Sequence, residues 1–173
     1  LGLKNDEHKE QHLTIRLLKR AIEAGLTQMD LNFPDHFQGL NIDELKQFIS
    51  QQPININGLA MRYYTAPEFK LGAFTHPDLR IRKLALEETK RGLDMASELG
   101  CSLMTLWMGQ DGFDYSFQGE FAGMWDNTIL AIQEVADYNK TIDISIEYKP
   151  NEPRAFSLMP DVATTLLALK EVD

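Results

Sequence analysis

The order of hydrophobic patterns along the chain predicts an α/β protein with a parallel sheet, on two observations. Stretches with helical periodicity alternate with short apolar runs that read as strands buried on both faces. Such strands, joined by helical crossovers, form parallel sheets. Each run also ends in a polar, aromatic-rich segment: residues 32–36, 62–65, 107–111 and 147–154. In a parallel sheet these carboxyl ends lie together on one face, where α/β proteins build their sites.

A first helix is predicted over residues 6–24, with Leu13, Leu17, Leu18, Ala21 and Ile22 on one face and Gly25 as its stop. A strand over 27–33 follows, cut off by Pro34. Asn41 is placed to cap a helix over 42–51, with Leu45, Phe48 and Ile49 inward. The next strand spans 57–64. After a loop holding Pro67, Gly72 and Pro77, a long helix runs over 77–99, with Thr75 as its expected cap and Gly100 closing it. A strand at 103–107, a helix over 117–138, a strand at 142–148 and a helix from Pro160 to Glu171 complete the order.

The bulk properties narrow the class of function. A chain of 173 residues, 43% hydrophobic and 25% charged, suits one soluble globular domain over residues 1–173. Its net charge of -9 disfavours a nucleic-acid partner. The basic stretch at residues 80–91 is interrupted by Glu87 and Glu88 and reads as a solvated helix face. The single cysteine, Cys101, sits beside an apolar run and is expected to be a buried structural thiol. No apolar run is long enough to span a membrane, and the first residues lack a signal-peptide core, so a cytoplasmic location is expected. His8 and His12 are expected on an exposed helix face, and His76 near a helix start.

Residues 146–154 read IEYKPNEPR. Side chains alternate along a strand, so Glu147 and Lys149 point the same way. Such a pair can hold a divalent cation through the carboxylate and stabilise growing negative charge through the amine. It can equally be an ordinary salt bridge at a strand end. The stretch resembles the signature of xylose isomerases, a strand ending in Ile/Leu-Glu-Pro-Lys-Pro. A second stretch, LGAFTHPDLRIRKLALEETKRGLDMASELGCSLMTLWMGQDGFDY, is similar to that family's Gly-Gly-Phe-Thr segment, Arg-rich helix and Trp-ending strand.

The resemblance implies a TIM-type parallel (β/α) barrel, of which the matching pattern covers strands two to five, about half. It assigns Glu147 to a metal and Lys149 to the O1 side of a sugar. Trp107 and Tyr64 become walls of the sugar pocket. The place of the family's ring-opening histidine falls at MDLNFPDHF, where His36, Asp35 and Asn32 are the candidates. Tyr148, Met108, Gln110, Asp111 and Arg62 depart from the family's pattern, so a sugar other than xylose is expected, with Arg62 and Asn32 as further candidate contacts to it. The implied activity is a divalent-metal (Mg, Mn or Co) aldose–ketose isomerase, with self-association a family expectation. Alternatives are a C3 epimerase of the same barrel, which needs no such lysine, and an inactive sugar-binding fragment. A full barrel takes about 250 residues, and strand six is expected just where the chain stops, so part of a longer protein is the preferred reading.

Overall fold

The computed structural model describes residues 11–172. Helix α1 (Leu13–Glu23) starts at His12, whose Nδ1 accepts the Thr14 N–H at 3.2 Å while Nε2 donates to the Gln38 carbonyl at 2.9 Å. His12 is thus a cap rather than a residue of an exposed helix face. The predicted turns before residue 11, with His8, lie outside the described residues. The inward face of α1 is Thr14, Ile15, Leu18 and Ala21, and Leu13 is left 44% exposed. Periodicity alone admits several adjacent stripes, and the packing partner selects one.

The strands are β1 (Gln28–Phe33), β2 (Asn55–Met61), β3 (Leu103–Leu106), β4 (Gly112–Phe113), β5 (Asp143–Ile146) and β6 (Phe156–Ser157). β1, β2, β3 and β5 pair in that order, all parallel. Helices α2 (Ile42–Ser50), α3 (Leu79–Glu98) and α4 (Phe121–Tyr138) are the crossovers, and α5 (Val162–Glu171) follows β5. This is the strand–helix order of a (β/α) barrel, with four of its eight strands. The two-residue strands β4 and β6 pair antiparallel and were not predicted, being too short to show any period.

The caps explain where the helices begin. Asn41 caps α2 as expected, accepting from the Asp43 and Glu44 N–H groups at 3.0 and 3.3 Å. Thr75 does not cap α3. That role falls to Asp78, which accepts the Arg80 N–H at 2.8 Å, while Thr75 is bound to Asp111 instead. Glu120 caps α4, so the helix starts four residues later than position 117. Asp161 caps α5.

Register fixes the two faces of the sheet. Asn32, Ala60, Thr105 and Ser145 lie side by side in one row. All four are partly exposed and small or polar. Leu31, Phe33, Leu59, Met61, Met104 and Leu106 are buried on the other face, against Ala85, Leu93 and Ala96 of α3. A register shift between Met29 and Leu31 lets both Ile56 and Leu59 be buried despite their odd spacing. Gly58 sits in this irregular stretch, where a β-carbon would come within 2.8 Å of the Leu103 carbonyl oxygen. Among the described residues, no helix is long and apolar enough to cross a membrane.

Candidate active site

Two strand ends run on past the sheet. The Arg62 N–H donates to the Phe33 carbonyl at 2.9 Å and the Glu147 N–H to the Leu106 carbonyl at 3.0 Å. Alternation therefore places Arg62, Trp107 and Glu147 two residues beyond Ala60, Thr105 and Ser145, on the same small, polar face. β2 ends at Met61 and β5 at Ile146, earlier than expected, because the following aromatic and charged residues turn into this mouth rather than continue the ladder.

At the mouth four side chains form a continuous row. The Arg62 guanidinium lies over the Tyr64 ring, 4.3 Å from its centroid. Tyr64 meets Trp107 edge to face, with centroids 4.7 Å apart. Lys149 Nζ sits 5.5 Å from the centroid of a Trp107 ring and pairs with the exposed Glu152 carboxylate at 2.9 Å. Arg62 Nε and Trp107 Nε1 are buried without an acceptor among the described residues. An unbonded buried donor is costly, so both mark places where an acceptor belongs.

The β1 loop reaches the same mouth. His36 Nδ1 accepts the Asn32 N–H at 3.1 Å, which puts the proton of the neutral ring on Nε2. Half-burial holds the imidazole below its ordinary pKa, with Arg62 and His12 adding to the effect and Asp35 opposing it. Asp35 Oδ1 lies 3.1 Å from the Thr65 hydroxyl, tying this loop to the turn after β2. Asn32 occupies the row below. Glu147 stands next to Trp107 in register, exposed and without an ion pair among the described residues.

Divalent Mg²⁺ or Mn²⁺ takes about six oxygen ligands. No group of three or more His, Cys, Asp or Glu side chains able to hold a metal occurs among the described residues. Glu147 could supply one ligand, and one carboxylate does not make a site. The residues present do not by themselves fit the ion.

Sequence reasoning missed a second group of polar residues at the same end. Asp111 is fully buried, and its Oδ1 accepts from the Ala73 N–H at 3.0 Å, the Thr75 N–H at 2.7 Å and the Thr75 hydroxyl at 2.8 Å. Burial pushes its carboxyl up to about 6, against the pull of these bonds. Arg154 donates to the Lys70 and Gly112 carbonyls at 3.4 and 3.2 Å and pairs with Asp114 at 3.2 Å. The Leu158 N–H donates to the Asp111 carbonyl at 3.0 Å. Together they clasp the loop after β5 to the loop after β3. A β-carbon on Gly112 would run into the Phe156 carbonyl, so only glycine permits the β4–β6 contact. Deeper in, the Thr89 hydroxyl donates to the Ala85 carbonyl at 2.7 Å, leaving the Tyr63 hydroxyl to donate to Thr89 at 2.6 Å.

A parallel β/α half-barrel with cationic and aromatic residues at its carboxyl mouth is the class of protein defined here. The chain belongs to the xylose isomerase-like TIM barrel family, whose profile matches residues 18–170. It is 26% identical over 136 residues to the xylose isomerase of Thermus thermophilus, covering 76% of this chain and 35% of that protein. The structure of D-psicose 3-epimerase from Clostridium cellulolyticum H10 superimposes with a TM-score of 0.73 at 18% identity, covering 94% of this chain and 55% of that one. A xylose isomerase-like TIM barrel protein from Mycobacterium smegmatis, in complex with magnesium, gives a TM-score of 0.65 at 16% identity, over 92% and 52% of the two chains. The structural likenesses establish the partial-barrel fold. The chain spans about a third of the length of this xylose isomerase and about half that of the two structures.

Proposed function

We propose that the protein containing this chain is an aldose–ketose isomerase for an open-chain sugar other than xylose. The observation that carries this reading is the position of Lys149, at the mouth of the sheet beside Trp107 and two residues beyond Glu147. Its ammonium group is placed to neutralise charge growing on a substrate carbonyl oxygen. His36, neutral and with its proton on Nε2, is the candidate to assist ring opening, and Asp35 raises its basicity. Asn32 and Arg62 offer polar contacts on the floor and wall of the pocket, while Tyr64 and Trp107 exclude water. Hydrogen then moves between C1 and C2. A divalent cofactor (Mg, Mn or Co) belongs to this reading with Glu147 as one ligand. No step is assigned to it, since the described residues do not complete its site. A cytoplasmic location and self-association belong to the same proposal.

The second reading is a sugar epimerase, favoured by the fold shared with D-psicose 3-epimerase. Proton transfer at C3 makes no demand on a lysine two residues after the glutamate, so Lys149 separates the two. The test is a panel of aldoses with and without Mn²⁺, assayed for ketose. Lys149→Met should reduce ketose formation by about a hundredfold or more. Full turnover in that variant, or C3 epimers as the product, would replace the isomerase by the epimerase.

A further inference from the structure

We infer that the pocket at the mouth of the sheet takes a polyhydroxy compound with a terminal oxyanion, a carboxylate or a phosphate, and that Arg62 is the residue that selects it. The inference rests on reading this mouth as a sugar site and adds the class of sugar. Four features of Arg62 carry it. Its side chain extends the row of Asn32, Ala60, Thr105 and Ser145 into the mouth, by register and alternation. Its guanidinium carbon lies over the Tyr64 ring, 4.3 Å from the centroid, which holds the group at the mouth. It forms no ion pair among the described residues, although the chain carries 26 acidic residues against 17 basic ones. Finally, its Nε is buried with no acceptor among the described residues.

The surroundings favour an anion over a hydroxyl. Tyr64 packs edge to face with Trp107, whose Nε1–H is also buried without an acceptor among the described residues, so unpaired donors flank the aromatic pair. Asp35, the nearest acid in the β1 loop, is hydrogen-bonded by Thr65. His36 is held toward its neutral form by burial and by Arg62 itself, so it adds no competing positive charge. A planar guanidinium gives two parallel N–H bonds to a carboxylate or phosphate, whereas a neutral hydroxyl uses only one of them. A charge-assisted pair of this kind is worth about tenfold or more in affinity.

The experiment is calorimetric titration of the whole protein with D-glucose, D-glucuronate and D-glucose 6-phosphate, in the wild type and in Arg62→Gln and Arg62→Lys. Thermal melts check that each variant is folded. We expect at least one anionic sugar to bind the wild type about tenfold more tightly than glucose. Arg62→Gln should abolish that preference, weakening the anionic sugar about tenfold more than glucose, while Arg62→Lys keeps only part of it. A preference for glucuronate assigns a carboxylate, and one for the phosphate ester a phosphate. Equal affinity for all three sugars in the wild type overturns the inference without any variant, as does an equal loss of glucose and anion binding in a folded Arg62→Gln. Ketose formation from glucose alone would then leave the isomerase reading intact. Arg62-dependent anion binding with no ketose from any of the three would sink the isomerase reading and leave the oxyanion site standing.

Discussion

The Asp111–Arg154 clasp and the Arg62–Tyr64–Trp107–Lys149 row grow from the carboxyl ends of the same parallel strands, yet their polar atoms fare differently. In the clasp, Asp111 Oδ1 takes three donors and Arg154 binds two carbonyls and a carboxylate, although Asp111 Oδ2 and Arg154 Nε have no partner among the described residues. In the row, the contacts are mostly ring faces, and Arg62 Nε and Trp107 Nε1 have no acceptor among the described residues. A group already bonded by the protein has little left for a ligand. The first region thus ties loops together through hydrogen bonds and an ion pair, whereas the second, the proposed sugar site, is held mainly by ring contacts, although both look alike as loop residues.

The contrast predicts which changes harm folding and which harm binding. Arg154→Met should have the largest effect on folding, a loss of about 2–4 kcal/mol in urea unfolding, because it strips the Lys70 and Gly112 carbonyls of their donor and leaves Asp114 unpaired. A loss under 0.5 kcal/mol would mean that the loops hold together without the clasp, on the scale of ordinary surface changes.

Asp111 gives the next effect, and its sign is specific. Its carboxyl sits at about 6 in the folded state against an ordinary 3.8, so the folded protein keeps a proton that the unfolded chain releases. Stability from this group is fully present below about 3.8 and is lost as pH rises through about 6. The difference is worth about 3 kcal/mol, from about 1.4 kcal/mol per unit. Asp111→Asn keeps the acceptor at Oδ1 and cannot ionise. Unfolding of this variant measured from pH 4 to pH 7 should lack that slope. An unchanged slope would assign the titration elsewhere.

Trp107→Phe should have the smallest effect on folding, within about 1 kcal/mol, because the lost packing is offset by removing a buried donor that has no partner. Sugar binding, followed by calorimetry, should weaken severalfold in the same variant. A large folding loss with unchanged binding would move Trp107 into the clasp's category.

The two regions were not equally legible in the sequence. Glu147, Lys149 and Trp107 were singled out from the two stretches resembling xylose isomerases and Tyr64 from the preceding MRYYTAPEFK, and the strand ends that carry them from hydrophobic pattern. Arg62 stood out as a departure from that pattern and as a candidate sugar contact. Thr75 was misread and the role of Asp111 went unseen because partners 36 residues apart in sequence leave no local signal. Thr75 before Pro77 has the composition of a helix cap, and nothing nearby reveals that its N–H and hydroxyl are already taken. Arg154 stood at the end of a recognised motif, but its partners come from the loops after β2 and β3.

Alternation of apolar runs and helical stripes was enough to determine a parallel sheet with helical crossovers, because burial on two faces and burial on one leave different periods. It also determined that chemically active residues gather at one end, since parallel strands share a direction. The tertiary structure decided which of those residues are bonded to each other and which keep donors without a partner among the described residues. That choice depends on register, on the bulge in the first strand pair and on loops meeting across the sheet, and none of these is written in the spacing of residues along a single segment.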